Sequence, residues 1–209
     1  VHTFDKCFFM PSDLTAGLEY NRDRLKDNMW GYNRHTDQTV NIYSAFLQNE
    51  WKNDRWGILI GGRLDKHNMV DNVIFSPRAN LRFNPTQNIN LRLSYSSGFR
   101  APQAFDEDMH IENVGGTVAM IERAKDLKEE KSQSFSASAD MYHRFGAFQT
   151  NLLIEGFYTR LTDVFVLGEP YDRGDGILVK TRSNGPGAKV MGLTLEGKVA
   201  YLSILQIQA

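Results

Sequence analysis

The 209-residue chain has almost no cysteine, no long apolar run and no charge imbalance. Cys7 is the only cysteine, so no disulfide can form within the chain, and a free structural thiol is its expected state. No apolar stretch approaches the ~18 residues that would cross a bilayer as a helix. That excludes a helical span. It does not exclude a barrel, whose tilted strands need only about 9–11 residues each. Lys and Arg number 24 against 25 Asp and Glu, a net charge of −1, which gives no footprint for nucleic acid as a partner. A composition 41% hydrophobic and 23% charged is not that of a disordered chain.

Signatures of catalysis are missing too. Gly115-Gly116 and Gly174-Asp175-Gly176 lack the spacing of a dinucleotide or Walker loop, so no nucleotide and no cofactor is expected. Ser94, Ser96, Ser97 and His110 come without a nucleophile elbow, so no enzymatic activity is expected. No initiator methionine or signal peptide stands at Val1, and Leu205–Ala209 reads as an alternating strand stopped in mid-course. The expectation is a segment truncated at both ends.

What is present is alternation. In Ser76–Pro102, Ala79, Leu81 and Phe83 alternate with Asn80, Arg82 and Asn84. Residues 84–88 break the pattern, and Ile89, Leu91, Leu93 and Tyr95 then alternate with Asn90, Arg92, Ser94 and Ser96. A period of two gives each strand one apolar and one polar face, as in a soluble sandwich or in a barrel with lipid outside and a wet lumen. Similar strands are expected at about 12–22, 38–52, 56–65, 132–143, 148–162 and 177–201. In the second, Val40, Ile42 and Phe46 compete in phase with Tyr43, Ala45 and Leu47, so a bulge is expected. In the last, Asn184–Gly187 reads as a bulge within one long strand, with a hairpin break as the alternative. Ala119–Leu127 reads as a short helix inside an irregular segment at about 103–130.

The connections alternate in length. Those at 23–37, 66–73, 100–131 and 163–176 are medium to long, and those at 53–55, 84–88, 144–147 and 202–204 are short. An up-and-down barrel has this rhythm, with short periplasmic turns and longer extracellular loops. A Greek-key sandwich has no reason to keep it.

Three phrases carry a resemblance. SPRANLRFNP at 76–85 and SYSSGFRAP at 94–102 resemble the barrel of TonB-dependent outer-membrane receptors, where a strand ending in G-F-R-A-P leads into a long loop. Leu127–Ser132 resembles the L-x-P-E-K-S phrase that opens the next strand, with Glu129 in place of proline. Asn184 followed by Gly192–Glu196 resembles the N…G-x-E element, with Thr194 and Leu195 in place of a tight G-V-E. The likeness runs from about Leu14 to the end.

The resemblance implies an all-β, antiparallel up-and-down transmembrane barrel, here as about eight to nine strands of a larger one, with residues 1–209 all within that domain. It implies uptake of a scarce ligand such as a ferric siderophore, haem or cobalamin, an iron chelate being the first choice. It also implies two partners besides outer-membrane lipid: a plug, of which nothing is seen here, and through it the TonB energy-transducing complex.

Ligand contact is expected at the loop positions Arg100, Gln103, Asp106, Glu107, Asp108, His110 and Tyr171. The Asp106–His110 cluster matches no EF-hand spacing, so a solvated loop is expected there and no metal site. Trp30, Trp51, Trp56, Tyr20, Tyr95, Tyr142 and Tyr158 are the expected interfacial girdle. Arg63, Arg82 and Arg92 are expected to line the lumen, with Asp65 or Glu19 as partners and with anion passage as a second role. A soluble sandwich binding carbohydrate or protein at its loops is the alternative. An outer-membrane enzyme barrel is a third reading, for which no catalytic serine can be assembled.

Overall fold

The computed structural model describes residues 1–32, 34–104, 112–114, 117–174, 176–202 and 204–208. Its strands are β1 (His2–Cys7), β2 (Met10–Met29), β3 (Arg34–Lys52), β4 (Trp56–His67), β5 (Ile74–Thr86), β6 (Ile89–Arg100), β7 (Glu112–Val114) and β8 (Thr117–Arg123). They continue with β9 (Glu130–Phe145), β10 (Phe148–Thr162), β11 (Phe165–Leu167), β12 (Tyr171–Asp172), β13 (Leu178–Asn184), β14 (Ala188–Tyr201) and β15 (Leu205–Gln208). Ten of them form one open sheet in the order β1-β2-β3-β4-β5-β6-β9-β10-β14-β15. Every neighbouring pair in it is antiparallel. The wall is thus one to two strands wider than the sequence suggested, because β1 and β15 also pair.

Alternation sets the two faces. Ile58, Leu81, Leu93, Ala137, Gly156 and Leu193 form one lateral row across six strands. The adjacent row on the other face is Leu59, Asn80, Ser94, Ser136, Phe157 and Gly192. The apolar face is not packed against the chain's own residues: Leu18 is 87% exposed, Leu193 77% and Leu195 65%. A soluble sandwich buries its apolar faces against each other. The surface area makes the same point. The chain exposes 13852 Å², whereas surface scaling gives a compact protein of this size about 9,900 Å². The sandwich reading is overturned; this is one open wall whose apolar face is uncovered, the kind of face that a barrel turns to lipid.

Phe46 shows why the phase of β3 was ambiguous. It points inward, paired with Gly17, and a Cβ at Gly17 would lie 2.4 Å from its ring. The glycine makes room for an aromatic ring on the lumen side. The β2–β3 ladder runs without a register shift from Ser12↔Trp51 to Met29↔Arg34, so the expected bulge is absent. The same ladder fills most of the expected loop at 23–37, whose polar residues still alternate as paired strands. Trp30 stands in the 3-10 turn at the hairpin tip, ten residues or about 30 Å of strand beyond Tyr20, and so is no girdle residue. Tyr142 faces inward and donates to Asp140, so it leaves the girdle too. Tyr20 stacks on Tyr43 at 4.8 Å and Trp56 on Phe83 at 4.2 Å, both on the apolar face.

Two of the long connections fold on each other. β11, β13, β8 and β7 form a second sheet in that order, with β12 also on β13. β8 and β13 are parallel, Leu178↔Ala119 to Arg182↔Arg123. The short helix expected at Ala119–Leu127 is therefore a strand and a turn. The expected single strand at 177–201 is two strands in different sheets. Asn184–Gly187 is where the chain crosses from one to the other, neither a bulge nor a hairpin. A Cβ at Gly187 would sit 2.6 Å from the Leu161 carbonyl oxygen, so the close passage of the chain beside β10 demands glycine.

Candidate functional site

On the inward face of the wall, Arg63 binds three side chains at once. It donates to Asp65 Oδ1 at 2.8 Å, to Glu19 Oε2 at 2.9 Å and to Ser44 Oγ at 2.7 Å. Ser44 donates to the same Asp65 oxygen at 2.6 Å. Both expected carboxylate partners are thus engaged, and the cluster ties β2, β3 and β4 together below the loops. Arg82 and Arg92 stand directly opposite each other on the same face, as expected.

Above that cluster the outer ends of the strands carry a polar anchor. Phe99 packs with Val70, Ile74 and Ala101. This seats the chain leaving β6, and the next residues are held by side chains from β3, β4 and β8. Ala104 N–H donates to Gln38 Oε1 at 2.9 Å, and Arg123 donates to the same oxygen at 2.7 Å and to the Pro102 carbonyl at 3.0 Å. Gln103 Oε1 lies 3.2 Å from His67 Nε2, and Met69 N–H donates to His67 Nδ1 at 3.0 Å. The ring is therefore a neutral imidazole with its proton on Nε2.

His67 lies opposite Ile42, one row outside the Tyr20–Tyr43 pair, beyond the membrane-spanning part. It is 1% exposed, and burial pushes its pKa below the ordinary 6.5. Gln103 and Asp65 act in the opposite sense without reversing it. A lowered histidine pKa means that the unfolded chain binds the extra proton more readily. Stability is full above about pH 6.5 and falls as the pH drops through that value towards the lower folded pKa. Denaturant midpoints from pH 8 to 5 should show this loss, and His67→Gln should flatten it.

The anchor borders a cavity of about 620 Å³. The start of β3 contributes Arg34 and His35, the residues after β8 contribute Lys125 and Leu127, and Arg123 and Arg173 complete the charged wall. Among the described residues, four guanidinium or ammonium groups and one carboxylate, Glu122, line it. Glu122 is 3.8 Å from Arg173, and Arg34 is paired with Asp27 at 2.8 Å. A larger depression, about 1060 Å³, lies on the lipid face between Ile58, Leu93, Phe135 and Leu193, where Ala137 and Gly156 lower the surface. Its walls are almost wholly apolar and offer little to orient a charged ligand.

Of the expected contact residues, the described Arg100, Gln103 and Tyr171 do not line the cavity. Arg100 is at the end of β6, its guanidinium 5.5 Å from the Phe165 ring centre. Gln103 is turned to His67. Tyr171 is exposed on β12, opposite Val179. Asp106, Glu107, Asp108 and His110 lie outside the described residues. Sequence reasoning passed over Arg123 and Lys125 because they fall in the supposed helix. Their signal was present, two cations flanking Ala124 within a long connection.

The structure is similar to the siderophore receptor PirA from Pseudomonas aeruginosa, at 18% identity and a TM-score of 0.75, over 94% of this chain and 37% of that one. It is similar to the ferric enterobactin receptor PfeA of the same organism, at 19% identity and 0.69, over 90% and 31%. It is also similar to the FrpB iron transporter from Neisseria meningitidis, at 15% and 0.60, over 96% and 32%. The chain spans about a third of the length of these proteins. A comparison with curated proteins gives no match. The family model described as TonB dependent receptor-like, beta-barrel matches residues 2–208. With an open antiparallel wall, a lipid-facing apolar surface and loops of alternating length, the chain belongs to the β-barrel of the TonB-dependent receptors.

Proposed function

We propose that this chain is part of an outer-membrane receptor that takes up a negatively charged iron chelate by TonB-energised transport. The observation that carries the reading is the cavity among the outer loops, whose described lining holds four cations and one carboxylate. A ferric siderophore with anionic donor groups would gain charge-assisted hydrogen bonds from Arg34, Arg123, Lys125 and Arg173. The same walls would concentrate it from dilute solution. The likeness to PirA, a siderophore receptor, and PfeA, a ferric enterobactin receptor, supports the same ligand class. The reaction is passage, not bond making, and needs no catalytic residue. A plug in the lumen and the TonB complex acting on it are partners in this reading.

Binding of ferric enterobactin as a probe to the purified intact protein in detergent tests it. The dissociation constant should rise at least tenfold in Lys125→Ala with Arg173→Ala, and should rise with salt. A probe affinity unchanged by both would refute the site. Absence of binding by ferric enterobactin and by a ferric hydroxamate alike would refute the function.

A further inference from the structure

Parts of the phrases that mark the family in the sequence come together at one place in the fold, where Arg100, Lys128 and Glu130 gather around Asn184 and the Phe165 opposite it. The Asn184 carboxamide accepts from Lys128 N–H at 2.7 Å and donates to the Lys128 carbonyl at 3.1 Å. Its second donor hydrogen reaches the Asp163 carbonyl at 2.7 Å. Asp163 takes a left-handed φ of 54° there. Both donor hydrogens and the acceptor oxygen of one side chain are thus used on the main chain of two other segments. Lys128 leads into β9 and Asp163 leaves β10, while Asn184 ends β13.

Neighbouring contacts converge on the same point. Gly185 N–H donates to the Val164 carbonyl at 2.7 Å. Phe165, opposite Asn184, donates its N–H to Glu130 Oε2 at 2.9 Å and lies under Arg100, which is paired in register with Glu130. The β8–β13 ladder ends just above, with Ala124 N–H on the Arg182 carbonyl at 2.9 Å. Within that ladder Met120 and Val179 are fully buried.

We propose that Asn184 is the pin that joins the two outer loops, residues 101–129 and 163–187, into one body, and thereby fixes the cavity to which both contribute. Lys125 and Arg123 come from the first loop and Arg173 from the second. Asn184 does not line the cavity, so it is a positioning residue; its role in ligand capture rests on the receptor reading above. The geometry singles out the donors. In Asn184→Asp the shape is kept, but a carboxylate faces the Lys128 and Asp163 carbonyls with no hydrogen to give either.

Hydrogen exchange on the intact protein, wild type against Asn184→Asp and Asn184→Ala, tests the pin without needing a ligand. The expected result is exchange at least tenfold faster in both β8 and β13, rising together in both variants, with β9 and β10 unchanged. Faster exchange confined to residues 163–167 and 184–185, or no change in β8, would overturn the proposal. Ferric enterobactin titration of the same samples separates the two readings. A dissociation constant raised at least fivefold, with the number of binding sites unchanged, supports both. Coupled loosening of the loops in a protein that binds no ferric chelate would uphold the pin and overturn the receptor reading.

Discussion

Replacing Arg63 by methionine should destabilise the barrel wall by about 3 kcal/mol, near the lower end for breaking a buried ion pair. Asp65 and Ser44 are buried, at 3% and 6% exposure, and in this variant the carboxylate would be left with one hydroxyl partner. An uncompensated buried charge is what makes such substitutions costly. The lower end applies because the Arg63 side chain is itself 36% exposed and part of its interaction is screened by water. Lysine should recover only part of the loss, since one ammonium cannot reproduce the fork that meets Asp65, Glu19 and Ser44 together. Removing the charge on both sides, as Arg63→Met with Asp65→Asn, should recover more than half. Denaturant unfolding of the intact protein in bilayers measures all three. A loss that the double variant does not relieve would mean that Arg63 acts by packing and not by charge.

The second large effect concerns the faces. Leu93→Arg places a cation in the apolar row between Leu81 and Ala137, several rows from the nearest short turn. It should cost about 2–4 kcal/mol, the range for a cation near the bilayer midplane. Ser94→Arg, one residue on, enters the polar row with Asn80 and Ser136 and should change stability by less than about 0.5 kcal/mol, as for an ordinary solvated substitution. Neighbouring positions with identical new side chains separate face from propensity. Equal costs at both would contradict a lipid-facing surface.

Much of the wall was legible because strand alternation is a local property. Residues 79–95 declare their faces without reference to any distant residue, and the short turns expected at 53–55 and 144–147 follow from Asn53 and Gly146, the second being tightened to 146–147 by the strands on either side. The outer loops were not legible for the opposite reason. Ala119–Leu127 has acceptable helical spacing, and only pairing with β13, about sixty residues later, makes its first half a strand. The glycines at 185 and 187 announced an irregularity but not a change of sheet, which depends on the approach of Leu161 and Val166. The site suffered likewise. The cavity's cations come from segments far apart in sequence and meet only after folding.

Spin labels placed one at a time from Ile89 to Ser97, in protein carrying Cys7→Ser and embedded in bilayers, test the central claim most directly. Collision with oxygen, which partitions into lipid, should peak at Ile89, Leu91, Leu93 and Tyr95. Collision with a water-soluble nickel chelate should peak at Asn90, Arg92, Ser94 and Ser96. Two profiles of period two, opposite in phase, are the signature of a wall between lipid and a wet lumen. Profiles that rise and fall together, or high nickel accessibility at Leu93, would contradict it.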